Sequence, residues 1–147
     1  MLTLVLIALG PVASAAAEPA LLDARDLPKV AGALLANQAE GKKYLGRTFK
    51  AEGKYRSGPV QGTNLAEIEF ADFAVAHGLR GTDEIHVLCA YLADDPALIL
   101  LRDLVAQARP ILIVKGTVAG ADRTDSEGKI VAFVKLKDCI VAKKDGR

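Results

Sequence analysis

The sequence predicts a mainly β fold with helices, in which five strands close into a small barrel. The predicted elements run in the order helix, three strands, helix, two strands, which is the connectivity of the OB-fold. Gly53 and Gly116 interrupt the first and fourth strands at matching places, where the backbone of a small barrel coils most tightly. We therefore expect a five-stranded OB-fold barrel with an N-terminal helix and a helix between strands 3 and 4.

The composition is that of one ordinary globular domain. The chain has 147 residues, of which 51% are hydrophobic and 25% are charged, and its net charge is +1. Because nucleic-acid binding rests on neutralising phosphates, a domain with that function usually carries a clearer basic excess. The overall charge argues against nucleic acid as the main partner and leaves a local basic patch open.

Residues 1–17 have the character of a signal peptide. They carry no charged side chain, and small residues precede two candidate cleavage points, after Ala15 and after Ala17. The apolar core at residues 2–9 is shorter than the ~20 residues that a spanning helix needs. We expect an exported protein, periplasmic or secreted, with no membrane span in the mature chain. The alternatives are an uncleaved anchor and a misassigned start codon.

The mature domain is expected to cover residues 24–142, followed by a disordered tail at residues 143–147. Apolar residues recur at helical spacing over residues 27–35 and predict the first helix. Asp26 is its predicted N-cap and Gly41 its predicted end.

Three strands are predicted next. Residues 48–55 alternate between apolar and charged side chains, and residues 57–59, Ser-Gly-Pro, signal a turn. Residues 65–70 alternate in the same way and predict a second strand. Residues 84–92 are rich in strand-forming side chains and apolar on both faces, which predicts a third strand covered on its second face.

A helix and a hairpin complete the predicted fold. The Asp-Asp-Pro of residues 94–96 opens a helix that runs to about Ala108. Apolar runs at residues 111–118 and 130–142 predict two antiparallel strands, and the polar residues 121–128 between them predict a longer hairpin loop. The acidic spacing in this loop does not match a calcium-binding EF-hand loop.

Four short segments resemble the tRNA_anti-like family, bacterial OB-fold domains of unsettled function. They are KKYLGRTFKAEG at residues 42–53, HVLCAY at 86–91, VKGTV at 114–118 and LKDCIV at 136–141. The resemblance implies an OB-fold over most of the mature chain, and residues 60–80 depart from the family pattern. The family name reflects a relationship of fold and does not imply tRNA binding.

The two cysteines predict a disulfide. Cys89 and Cys139 lie on strands that are neighbours in an OB-fold, so their Cβ atoms come within bonding distance. An even number of cysteines in an exported protein also favours a bond. The alternative is a pair of buried free thiols.

Lys50, Lys54 and Tyr91 are the candidate ligand-binding face. OB-folds bind oligonucleotides and oligosaccharides on the barrel face through basic grooves and stacked aromatic rings. The alternative is a solvated strand face without a ligand.

No catalytic, metal or cofactor site is expected. His77 and His86 lack partners at ligand spacing, and no nucleophile motif is present. Convergence of Asp72, His77 and Asp83 would be needed to favour a hydrolase or a thiol-redox enzyme. The sequence therefore predicts a non-catalytic binding module of the bacterial cell envelope, whose partner is an envelope protein, an oligosaccharide or another ligand. A single-stranded nucleic-acid binder is the first alternative, and the enzyme is the second.

Overall fold

The computed structural model describes residues 20–36, 38–61, 64–73, 78–107 and 111–144. The predicted signal peptide, His77, Ala108 and residues 145–147 lie outside the described residues. The helical elements are a 3-10 turn at Ala24–Asp26, α1 (Leu27–Ala36), α2 (Gln38–Gly41) and α3 (Ala97–Val105). The strands are β1 (Thr48–Gln61), β2 (Leu65–Ala71), β3 (Glu84–Leu92), β4 (Ile111–Ser126) and β5 (Lys129–Lys143).

The five strands form one sheet that closes in a ring, in the order β1-β2-β3-β5-β4. All neighbouring strands are antiparallel except β3 and β5, which run parallel. The parallel pair is possible because α3 and β4 carry the chain back to the start of the sheet before β5 begins. The mainly β class, the strand count, the α3 position and the β3–β5 neighbourhood are confirmed.

The core fills the inside of the ring and the space beneath α1. Alternate residues of each strand point inward, and α1 contributes Leu27, Val30 and Ala31 to the same cluster. Among the largest fully buried side chains are Phe49, Phe70, Ile68, Leu112 and Leu136. None of the helices in the described ranges has the length and apolar character needed to span a membrane.

β1 continues through the predicted turn, so that prediction is wrong. Its register with β2 shifts between Tyr55 and Ser57 and again between Ser57 and Val60. Gly58, at φ +114°, takes the backbone through this irregularity. The Ser-Gly-Pro signal therefore produces bulges within a long strand, because pairing with β2 continues on both sides of it.

The predicted long hairpin loop is also wrong. β4 extends to Ser126 and the turn consists of Glu127 and Gly128, with φ values of +53° and +77°. Positive φ at both central residues is the signature of the type I′ turn, which matches the twist of the flanking strands. Cross-strand pairing therefore extends through the polar residues 121–126.

A capped 3-10 turn leads into α1. Asp23 is the N-cap of this turn and forms a capping box with Asp26, in which Asp23 accepts from the N–H of Arg25 and Asp26 accepts from that of Asp23. At α3 the predicted start is confirmed, because the Asp95 carboxylate accepts a hydrogen bond from the N–H of Ala97.

Candidate functional site

A polar cleft of about 460 Å³ opens beside the irregular part of β1. Its lining residues come from β1 and from the end of β2, and they are Lys54, Tyr55, Arg56, Ser57, Ala71 and Asp72. The register places Lys54 opposite Ala71 on one side and opposite Ile111 on the other, so the cleft lies where β1 passes from β4 to β2. This position allows two strands and a bulge to surround one volume.

The bulge is held by side chains that also shape the cleft. The Tyr55 hydroxyl donates a 2.6 Å hydrogen bond to the carbonyl of Gly58, and the Ser57 hydroxyl donates one of 2.9 Å to Glu69 Oε2. Lys54 and Arg56 are two residues apart on β1, and both line the cleft. The arrangement presents two cations and a hydroxyl to solvent.

Both cations have acidic neighbours but keep exposed surface. Lys54 Nζ lies 4.0 Å from Asp72 Oδ2, and Arg56 Nε lies 3.3 Å from Glu69 Oε1. Their side chains are about half exposed, at 49% and 50%. The exposed Lys54–Asp72 pair is worth about 0–1 kcal/mol, so an incoming anion competes easily with Asp72. Glu69 is only 17% exposed and holds the Arg56 guanidinium in place.

A buried histidine lies behind the cleft wall. His86, on the outward side of β3, is only 3% exposed. Its Nδ1 lies 2.5 Å from Glu69 Oε1 and its Nε2 lies 2.8 Å from Glu84 Oε2, while the ring of Phe133 covers it edge-on. Glu69 thereby joins the cleft residues Arg56 and Ser57 to the histidine.

Each ring nitrogen of His86 faces a carboxylate oxygen, Nδ1 that of Glu69 and Nε2 that of Glu84. Glu84 in turn accepts from Lys129 Nζ at 3.2 Å. Hydrogen bonds from Lys129 and then from His86 lower the pKa of Glu84 below its ordinary value. Every side-chain nitrogen of His86 and Lys129 therefore lies within hydrogen-bond distance of a carboxylate oxygen.

This cluster predicts an acid-sensitive contribution to stability. Because the folded pKa of Glu84 lies below its ordinary value of 4.5, its contribution is present above that pH and is lost as pH falls through the lowered folded pKa. The destabilisation caused by Glu84→Gln should therefore be larger near pH 7 than at about pH 3.5, by urea unfolding at each pH. Glu127→Gln, in the exposed hairpin turn, is the control. An equal Glu84→Gln effect at both pH values would contradict the prediction.

The three residues of the predicted ligand face are not brought together on one exposed surface. Lys54 lines the cleft, and Lys50 is exposed four residues earlier on β1, opposite Lys115 of β4. Tyr91 is only 6% exposed and belongs to the core beside α3. Burial and the nearby Asp95 carboxylate raise the pKa of Tyr91 to about 12. Its ring is therefore not available for stacking on a ligand.

The predicted disulfide is present. Cys89 and Cys139 are bonded, their Cα atoms are 5.9 Å apart, and both side chains are buried. The bond connects β3 to β5 near the end of their parallel pairing, where Cys89 lies opposite Leu136. The sulfur atoms therefore act as a structural link within the core.

The residues considered for an enzyme do not form a cluster in the described ranges. Asp72 is exposed at the cleft, and Asp83 is exposed and accepts a hydrogen bond from the N–H of Ile130. His77 lies outside the described residues. Within the parts of the chain that are described, no group of three or more His, Cys, Asp or Glu side chains is arranged so that it could hold a metal ion.

Sequence reasoning missed Arg56, Ser57, Glu69 and Glu84 as members of one network. Glu69 and His86 occupy outward positions on β2 and β3, and a residue-by-residue register would be needed to see that they meet. The local sequence gives one indication of the network. His86 lies in an otherwise apolar strand, and Glu84, two residues earlier on the same face of that strand, is acidic.

Comparison with known proteins finds no match for this chain among family models, curated proteins or solved structures.

Proposed function

We propose that the protein is an exported, non-catalytic binding module of the bacterial cell envelope, built on an OB-fold. The strand order, the parallel β3–β5 pair and the helix between β3 and β4 support the OB-fold assignment. The segments that resemble the tRNA_anti-like family lie in the third, fourth and fifth strands and at the start of the first, and they support it further.

The disulfide supports export. Structural disulfides persist in oxidising compartments and are rare in the cytosol. Cys89 and Cys139 are bonded in the core, and the apolar residues 1–17 match a signal peptide. An exported protein accounts for both features.

The cleft at Lys54 and Arg56 carries the proposed binding function. It combines two half-exposed cations with the Ser57 hydroxyl in a volume suited to a small group. Arg56 is oriented by Glu69, which reduces the entropy lost when its guanidinium binds an anion. We propose that the cleft receives a phosphate or carboxylate group of the ligand.

Binding, rather than catalysis, is favoured by how the hydroxyl is held. In a nucleophilic triad the serine hydroxyl hydrogen-bonds an imidazole, which removes its proton. Here Ser57 donates to the carboxylate of Glu69, and the far nitrogen of His86 faces Glu84 instead of a nucleophile. The hydroxyl is therefore not paired with a general base of the kind that a nucleophilic serine requires.

The Lys54→Ala, Arg56→Ala double variant tests the proposal, with inorganic pyrophosphate as the probe. We expect pyrophosphate to shift the amide NMR signals of residues 54–57 and of Asp72 in the wild-type protein. The double variant should bind it at least about tenfold more weakly, because both charge-assisted contacts are lost.

Lys29→Ala with Lys137→Ala is the matched control, since it removes two exposed positive charges elsewhere. Its affinity should equal that of the wild type. Shifts absent from residues 54–57, or equal weakening in both double variants, would reject the cleft as the binding site. Recovery of the full chain in the cytosolic fraction, with two free thiols, would reject export.

Single-stranded nucleic acid is the second candidate, and one observation favours it. Lys50 and Lys115 lie directly opposite each other on exposed positions of β1 and β4, and neither forms an ion pair within the described residues. Opposed like charges are unfavourable unless a counter-charge is bound. Oligothymidylate affinity that falls steeply with salt and is lost in Lys50→Ala with Lys54→Ala would support this candidate. Unchanged affinity in that variant would discard it.

A further inference from the structure

One edge of β4 has no strand partner over half its length. β1 pairs with β4 from Ile111 to Thr117, and the last hydrogen bonds on that side join Val118 to Gly46 and Arg47. Beyond this point β4 pairs only with β5, on its other edge, as far as the turn. Among the described residues nothing pairs with the outer edge of residues 119–126, which we call the free edge.

The backbone groups at the free edge can be assigned from the hairpin. A two-residue turn makes Ser126 and Lys129 a hydrogen-bonded pair, and such pairs alternate along an antiparallel ladder. The N–H and C=O groups of Ala121, Arg123 and Asp125 then point away from β5. These residues present three donor–acceptor pairs in the spacing that an added strand would match.

The free edge faces a groove rather than open solvent at its inner end. A cavity of about 330 Å³ separates residues 119–121 from the α1–α2 region. Leu34, Gly41, Lys42 and Leu45 form the opposite wall. The strand side has only the small residues Ala119, Gly120 and Ala121, and a Cβ added at Gly120 would have no atom within 4 Å. A backbone can therefore approach the edge closely.

We propose that this groove binds an extended peptide segment of a partner protein, which adds to β4 as an extra strand. Backbone hydrogen bonds to the free edge would supply affinity, and a pocket beside the edge would select side chains. Leu34 and the partly exposed Leu45 fit an apolar side chain of the peptide. The exposed ammonium of Lys42 forms no ion pair in the described chain and fits an acidic residue next to it.

The occupant is a single segment rather than a second copy of the barrel. In an edge-to-edge dimer, each β4 would carry its own sheet into the groove of the other, and the wall of α1 and α2 stands in the way. A lone strand needs only the width of one chain, about 4.8 Å from the free edge. This surface does not depend on the proposed cleft, because they lie at opposite ends of the β1–β4 pairing, six residues or about 20 Å apart.

A phage-displayed library of random linear peptides, selected on the full chain, supplies the probe. The selected peptides should carry an apolar residue next to an acidic one, and binding should slow hydrogen exchange at Ala121, Arg123 and Asp125. In an added strand, only every second residue directs its N–H toward β4. N-methylation of those nitrogens should abolish binding, and N-methylation of the residues between them should not.

Variants of the free edge complete the test. Ala121→Pro removes an outward N–H and should weaken binding at least about tenfold, whereas Ala121→Ser keeps the N–H and should not. Lys42→Glu should weaken binding of the acidic peptides. If the Ala121→Pro variant does not fold, the binding of the N-methylated peptides to the wild-type protein tests strand addition without it. Peptides insensitive to N-methylation, or a concentration-dependent dimer that occupies the edge, would overturn the proposal.

Discussion

Breaking the Cys89–Cys139 bond is expected to lower the free energy of unfolding by about 4 kcal/mol, which is a large share of a small domain's stability. The bond closes a loop across a sequence separation of 50 residues, and the chain entropy that it removes from the unfolded state grows with loop length. Both cysteines are buried, so reduction also leaves two thiols within the core.

Urea unfolding of the oxidised and reduced wild-type protein measures this effect directly. The Cys89→Ala, Cys139→Ala double variant is the control, because reductant should leave its midpoint unchanged. A midpoint of the wild type that does not move on reduction would show that the bond contributes little.

Gly116→Ala is expected to destabilise the fold by about 1–3 kcal/mol, the usual cost of overpacking a core. A Cβ at this position would lie 2.9 Å from Cys139 Sγ, 3.0 Å from Leu136 Cβ and 3.1 Å from the Lys137 carbonyl oxygen. All three neighbours belong to β5, where the register shifts beside Gly116. The added methyl group therefore fits only if β5 moves away from β4.

Gly120→Ala, four residues along the same strand, is the matched control. The chemical change is identical, but no atom lies within 4 Å of the added Cβ, and relief of unfolded-state entropy should leave stability unchanged or raise it by less than about 1 kcal/mol. Equal unfolding free energies for the two alanine variants would contradict the packing argument.

Strand identity was readable from the sequence where the local pattern and the tertiary pairing agree. β3 begins and ends where its apolar, β-branched run predicts, and α3 begins at the predicted Asp-Asp-Pro signal. Gly53 was predicted to lie where the barrel backbone coils most tightly, and a Cβ added there would lie 2.6 Å from the Phe73 ring. In these cases burial and local preference favour the same conformation.

Element ends failed where long-range pairing overrides a local signal. Ser57, Gly58 and Pro59 suggest a turn, yet β2 continues to pair with β1 past them. The polar residues 121–126 suggest a loop, yet pairing with β5 continues through them because only Glu127 and Gly128 are needed to reverse the chain. Neither outcome is encoded within a window of a few residues.

The site was predictable only in part for the same reason. Lys54 was identified from its strand alternation and does line the cleft. Tyr91 was expected on the ligand face, but it is buried in the core beside α3. The Glu69–His86–Glu84 contacts depend on the register between β2 and β3 and on side-chain direction, which composition and spacing do not specify.

The ring of strands is assembled from two sequence-local pieces, a meander of β1, β2 and β3 and the hairpin of β4 and β5, with α3 as the link. Cys89 belongs to the first piece and Cys139 to the second. A protease that cuts the link would therefore leave both fragments held by a covalent bond through sulfur. Such a nicked molecule gains the mass of one water and separates into two fragments only after a reductant breaks the Cys89–Cys139 bond.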